Sequence, residues 1–595
     1  MQVLFLKNIE LIEMGYYNNI LEGKNMKLLL RYLRNYIKET ILGPFFKLLE
    51  AGLELFVPLI IAKMIDEGIV QQNQTLIWLC AFCLALLALI GCISAISAQY
   101  FSAKAAVGMS EEMRRDLFAH IESFGYTEID QVGTSTLITR LTNDINQVQN
   151  GVNLFLRLFL RSPFIVFGSM LMAFTISPRL AIIFVLTILI LFLVVIFIMV
   201  VSIPLVKKTA ALIEKMTQLV SENLSGVRVI RAFHIEKEQA KEFETQNKNY
   251  FDASILVGKI NAFLNPGTTL ILNLAILILI YKGSFQVFEG GITQGQLVAL
   301  VSYMSSILIE LIKLVNLVLN LTKAIASASR IESIFEMQTS YLNHPQKISY
   351  IDDCIYYFDH VSFRYQNDQM DTIENVSFRI PKHARIGIIG GTGSGKSTLV
   401  HLMGRFYDVS DGRILYKGAD IKDVDLEKLH QEVVLVPQQA VLFKGTIAQN
   451  LRWGKKDASE EEMMEACRNA QIADFVEEKG LDYEIAQNGL NLSGGQRQRL
   501  TIARALIAKA EVLILDASSS ALDYATEAAL RKAIAQNYDC TLITISQRVS
   551  SLADCDMILV MDEGRLAGMG THDELMKNCA IYQEINASQI REVKA

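Results

Sequence analysis

The run RIGIIGGTGSGKSTLV, Arg385–Val400, decides how the C-terminal half of this chain folds. RIGII reads as a short apolar strand, GGTGSG as a glycine-rich turn and KSTLV as the first turn of a helix. Gly390, Gly395, Lys396 and Ser397 have phosphate-loop spacing. Glycine lets backbone N–H groups close around phosphate oxygens, and the helix N-terminus adds a favourable dipole. Lys396 brings a point charge, and Ser397 brings a hydroxyl able to ligate Mg²⁺. The expected cradle comprises Gly390, Thr392, Gly393, Ser394, Gly395, Lys396, Ser397 and Thr398, with ATP and Mg²⁺ as cofactors.

Two further stretches belong to the same engine. EVLILD, Glu511–Asp516, reads as a buried strand ending in a carboxylate, the second anchor of a magnesium shell. LNLSGGQRQRLTIARAL, Leu490–Leu506, sets Ser493, Gly494, Gly495 and Gln496 just before a helical pattern. A serine–glycine turn at a helix start is an anion site. One such site suffices for one nucleotide, so the second points to a γ-phosphate held by another chain. Strand-like and helical runs alternate around these motifs, the pattern of an α/β domain.

The N-terminal half is made for a different solvent. The 595-residue chain is 51% apolar and 20% charged, and its net charge of −6 gives no sign of a nucleic-acid partner. Its length implies several domains. Eight cysteines are scattered, and CAFC at 80–83 lacks the second pair a zinc site needs. Apolar runs near 40–63, 76–98, 154–176, 180–203, 257–281 and 295–322 predict six membrane spans. The clearest, LAIIFVLTILILFLVVIFIMVVSI (180–203), holds no charge. The fold class expected is a six-helix all-α transmembrane domain with long cytoplasmic helical extensions, followed by an α/β P-loop domain.

The short connections fall at 64–75, 177–179 and 282–294, and the long ones at 99–153 and 204–256. Basic residues in the second long segment favour the cytoplasmic side. An even number of spans then places both termini in the cytoplasm, with the chain multi-pass in the cytoplasmic membrane. MKLLLRYLRNYIKE (26–39) fits a helix lying along the inner membrane face. Residues 1–25 read as an N-terminal extension, 26–330 as the transmembrane domain, 331–350 as a linker and 351–595 as the nucleotide-binding domain.

In motif order and spacing the chain resembles the ATP-binding cassette (ABC) transporters of the exporter type, over nearly its whole length from Met26. The resemblance implies two cassettes stacked head to tail, each ATP touching the phosphate loop of one and the signature of the other. It implies that Tyr365 stacks on adenine, that Gln438 approaches the magnesium with Ser397 and Asp516, the last through water, and that Asp523 lies at the cassette interface. Segments near 125–133 and 222–231 correspond to the coupling helices.

Three positions depart from the family pattern. Ala517 stands where a glutamate general base is expected, Gln547 where a switch histidine is expected, and Gln487 where related exporters often carry glutamate. Binding needs only the cradle, Lys396 and the metal. Cleavage also needs a group to activate water, and losing a general base costs ~10²–10⁴ in rate. The intact signature is then useful only to a different chain. The expectation is one half of a heterodimeric exporter of amphiphilic small molecules, similar to the asymmetric bacterial exporters. A nonhydrolytic ATP-gated regulatory membrane protein and an importer of a metal-chelating small molecule are the alternatives.

Charges within the spans admit two readings. Lys47, Glu50 and Glu54, Arg157 and Arg161, and Glu310 and Lys313 either line a wet cavity that attracts a cationic amphiphile or pair with one another between helices.

Overall fold

The computed structural model describes residues 24–339, 354–366, 368–517 and 522–594. Residues 1–23 of the expected N-terminal extension and most of the expected linker lie outside these residues. The chain divides into two compact units: residues up to 120 with 135–336, and 121–134 with 337–595.

The first unit is helical. After a short helix α1 (Lys24–Leu33) come α2 (Ile37–Lys63) and α3 (Gln74–Glu122). No proline interrupts α3, so its 49 residues run for roughly 74 Å, far beyond a bilayer core. A short helix α4 (Tyr126–Val132) belongs to the second unit. The third span is split: α5 (Ile145–Leu158) ends in a turn at 159–160, and α6 (Arg161–Ile176) restarts at a charged residue. Pro178 opens α7 (Pro178–Ser225) at a position where its missing N–H costs nothing. Helices α8 (Val227–Phe233), α9 (Glu236–Phe288) and α10 (Gln294–Phe335) complete the unit.

The six-helix membrane domain is therefore present as α2, α3, α5 with α6, α7, α9 and α10. Among the described residues, four stretches are both long and apolar enough to cross a bilayer: 74–122, 134–176, 266–288 and 294–335. A shorter apolar helical stretch covers 178–194. Ile37–Lys63 carries Lys47, Glu50 and Glu54 and falls outside that group.

Helix α10 is the packing centre. Tyr303, Met304 and Ile307 are buried against Leu55 of α2, Ala173 of α6, Phe184 and Leu191 of α7, and Leu279 of α9. The Tyr303 hydroxyl donates to the Leu55 carbonyl at 2.5 Å. Two expected boundaries shift. Helix α9 runs on through Gly283, where a Cβ would collide with Leu297 Cδ1 of α10, to Phe288, and α10 runs through 331–335, where Ile331 and Ile334 continue the buried stripe.

The second unit holds two larger sheets. Strands β1 (Cys354–Phe363), β2 (Ile373–Pro381), β4 (Asp411–Tyr416) and β5 (Ala419–Asp420) form an antiparallel sheet ordered β2-β1-β4-β5. Strands β3 (Arg385–Gly390), β6 (Val433–Val436), β7 (Val512–Asp516), β8 (Thr541–Ile545), β9 (Met557–Asp562) and β10 (Arg565–Gly570) form a sheet ordered β10-β9-β3-β8-β7-β6. All its pairs are parallel except β9–β10. Every residue of β7 and β8 is buried, as parallel strands covered on both faces require.

Candidate functional site

Parallel pairing brings four strand ends to one edge. The carboxyl ends of β3, β7, β8 and β6 carry Gly390, Asp516, Gln547 and Gln438 in or just after the strand. Ligands of open α/β sheets bind at such an edge. Helix α11 (Lys396–Met403) starts directly from the loop after β3. Glycine is required at Gly395: its φ is 91°, and a Cβ would lie 2.6 Å from Ile373 Cδ1 and 2.9 Å from the Thr372 carbonyl. Gly391 and Gly393, by contrast, border open space where an oxyanion can approach the backbone.

Lys396 is 9% exposed. Its ammonium donates to the carbonyls of Gly390 (3.1 Å) and Gly391 (2.5 Å) and to Ser394 Oγ (3.3 Å). Burial lowers its pKa. Asp516, 3% exposed, accepts from Ser397 Oγ at 3.2 Å, and burial pushes its carboxyl above the usual range. Among the described residues neither charge forms an ion pair. A buried cation and a buried carboxyl that form no salt bridge, the first bonded to Ser394 and the second to Ser397, fit a polyphosphate carrying a divalent metal.

Tyr365 stands beside this loop. Its hydroxyl shares a hydrogen bond with Thr398 Oγ1 at 3.0 Å. Its ring lies edge-on to Phe363 and Tyr407, with centroids 4.8 and 5.3 Å away. The Tyr407 hydroxyl in turn donates to Asp130 Oδ2 on α4 at 2.6 Å, and Tyr126 stacks on Phe406 at 4.9 Å. The helix expected near 125–133 is thus tied to the nucleotide side of the cassette through one aromatic cluster. Sequence reasoning missed Phe406, Tyr407 and Asp130; the aromatic pair directly after α11 was the available signal. The other expected coupling segment, near 222–231, forms α8 a few residues later, and none of its residues is buried.

The signature begins helix α12 (Gly494–Leu506), with Ser493 as its N-cap. Ser493 Oγ accepts from the Gln496 N–H at 3.3 Å, and Gln496 Oε1 accepts from the Ser493 N–H at 2.9 Å. This reciprocal capping box gives Gln496 a local structural role that the sequence reading had not separated from nucleotide contact. Asp523 caps α13 (Tyr524–Asn537), accepting from the N–H and hydroxyl of Thr526; these bonds hold its carboxyl below the usual range.

The departing positions are all in place. Ala517 follows β7 with φ 43°, a left-handed conformation costing roughly 1–2 kcal/mol for an L-residue, and its N–H donates to the Ile545 carbonyl at 3.1 Å. A methyl group can neither accept a proton nor orient water. Gln547 is exposed just beyond β8, Gln438 just beyond β6, and Gln487 in the turn 487–489.

In the membrane unit, the geometry is that of ion pairing between spans. Arg161, 8% exposed in its side chain, reaches Glu310 at 2.5 Å, Glu54 at 2.7 Å and Glu50 at 3.8 Å. Ser162 and Lys313 also donate to Glu310, and Lys47 donates to Glu50. One cation therefore joins α2, α6 and α10, and every glutamate considered as a cation attractor already has a basic partner.

A nucleotide engine joined to long apolar helices defines an ATP-dependent membrane transporter. Residues 40–312 match the ABC transporter transmembrane region, and 373–520 match the ABC transporter domain. The chain is 34% identical over 566 residues to the uncharacterized ABC transporter ATP-binding protein YfiB of Bacillus subtilis, covering 95% of this chain and 98% of that one. It is 32% identical over 572 residues to the uncharacterized ABC transporter ATP-binding protein MT1311 of Mycobacterium tuberculosis, with 95% and 98% covered. The fold matches the solved structure of a bacterial Atm1-family ABC exporter with ATP bound, at a TM-score of 0.78, 24% identity and 94% and 98% coverage. This chain belongs to the ABC transporter family and is an exporter-type half-transporter.

Proposed function

We propose that the chain is the weakly hydrolytic half of a heterodimeric exporter. Its own phosphate loop, with Tyr365 against adenine and Ser397, Gln438 and Asp516 toward Mg²⁺, binds ATP but turns it over poorly. Its Ser493 turn, with Asp523 at the cassette interface, completes the site of a different half-transporter that supplies a glutamate and a histidine. Bound metal supplies charge neutralisation at the terminal phosphates; Lys396 holds the phosphates, and Gln547 faces the γ-position.

The observation that carries this reading is the pairing of a phosphate cradle built around buried Ser394, Lys396 and Asp516 with a methyl group at Ala517. Helix α8, none of whose residues is buried, supports it as well. A helix displaying Val227, Val229 and Phe233 needs a second surface to cover it. We place both termini in the cytoplasm, the membrane domain from Met26 to about residue 330 and the cassette from 351 onward. The cargo is an amphiphilic small molecule. Because the glutamates of α2 and α10 are paired with basic side chains, net negative charge is not what attracts it.

The test is ATPase activity of the purified chain alone and of the complex it forms with its copurifying mate. Little turnover alone and restored turnover in the complex are expected. Robust hydrolysis by a homogeneous homodimer overturns the reading.

A further inference from the structure

The C-terminal helix α14 (Ala580–Lys594) carries a residue that acts on the nucleotide edge. After β8 the chain leaves the sheet, and the backbone groups of the following loop lose their ladder partners, so each needs another. Two of them are taken by a single side chain. Gln589 Nε2 donates to the Gln547 carbonyl at 2.6 Å, and Gln589 Oε1 accepts from the Val549 N–H at 2.9 Å. Between them the Arg548 N–H donates to Ser546 Oγ at 3.0 Å, and its guanidinium lies 4.3 Å from the Tyr524 ring and 3.1 Å from Glu527. Three consecutive residues are thus held from three directions.

The helix that presents Gln589 is itself fixed. Tyr582 is fully buried in one cluster with Val549, Leu552, Ile558 and Ile389, and its hydroxyl pairs with His572 Nδ1 at 2.8 Å. Ile389 directly precedes Gly390 of the phosphate loop. The strut therefore rests on the strand that feeds the phosphate cradle, and its tip grips the loop that presents Gln547.

We propose that Gln589 is a positioning residue: by clamping the backbone on both sides of Arg548 it aims the Gln547 amide at the γ-phosphate and so sets how well this site distinguishes ATP from ADP. The γ-phosphate is the only group that differs between the two nucleotides. A neutral amide cannot rely on long-range attraction, as a protonated imidazole would, so its contribution depends on being held in place. This rests on the assignment of Gln547 to the γ-position made above.

The test measures Mg²⁺-dependent binding of ATP and of ADP to the full-length chain in detergent. Gln589→Met keeps the stem volume and removes both hydrogen bonds. ATP affinity is expected to fall ~3–10-fold, the range a lost hydrogen-bond clamp produces, with ADP affinity unchanged. Gln547→Ala is expected to give the same loss, and the double variant no more than either alone. Gln589→Glu, which keeps only the acceptor for Val549, serves as the second variant should the first unfold, with the same loss expected.

Equal losses for ATP and ADP would make the role merely structural and overturn the proposal, as would losses that add. A clear effect of Gln547→Ala with a silent Gln589→Met overturns the clamp alone. No effect of Gln547→Ala removes the γ-assignment beneath it, and the clamp with it.

Discussion

Asp516 sits in the cassette under an electrostatic load. It is buried, has one hydroxyl partner and holds its proton more tightly in the fold than in an unfolded chain. For an acid with a raised pKa, the folded state binds more protons in the window above the ordinary carboxyl range, so stability falls as pH rises through it. Asp516→Asn is therefore expected to raise cassette stability at neutral pH in nucleotide-free protein, with a gain that shrinks on acidification. Urea unfolding at about pH 7 and about pH 4 checks the sign, and the same variant should lose Mg²⁺-dependent ATP binding. At this scale the phosphate loop was legible in the sequence because glycine and lysine spacing is fixed by the shape of a phosphate. The double duty of Gln496 was not, since a capping glutamine and a ligand-facing glutamine look alike in one dimension. Nor was Gln589, whose partners lie about 40 residues away and are backbone atoms with no sequence signature.

Helix ends carry much of the chemistry. Ser493 caps α12 through its hydroxyl, so Ser493→Ala should cost ~1 kcal/mol of local helix stability, seen as faster amide exchange in the first turn of α12. The same change should lower hydrolysis by the assembled complex while leaving ATP binding to this chain's own loop intact. In the membrane unit, the break at 159–160 gives α6 a fresh start at Arg161, where three helices share one guanidinium. Removing that cation leaves half-exposed Glu54 without a basic partner and Glu310 with only Lys313 and Ser162, and Arg161→Met is expected to cost roughly 1.5–3 kcal/mol, read as a lower thermal midpoint in detergent. Arg161→Met combined with Glu310→Met should recover part of the loss. The long helices were readable because uninterrupted apolar runs allow little else. Their ends were misjudged at 331–335, where polarity rose without a helix stop, and at 282–288, where Gly283 serves close packing against Leu297 and does not end the helix. The charges in the spans were visible in the sequence, but which ones meet is set by the packing of α2, α6 and α10, whose contacts span more than 100 residues.

At the scale of the whole molecule, the proposed reading gives the chain a full set of binding parts and an incomplete set of cleaving parts. ATPase turnover by the chain alone should stay near background and rise only when the mate is coexpressed, a contrast that Ala517 makes steep because no titratable group stands in its place. The length of α7 and α9, with α8 between them, gives this dependence a cellular side. Leu224, Val229, Phe233 and Phe251 are all more than half exposed. On the proposed reading an unmated copy advertises these apolar side chains to chaperones and proteases. The quantity of this protein that persists in a cell would then follow the supply of its mate, which turns an assembly interface into a dosage control.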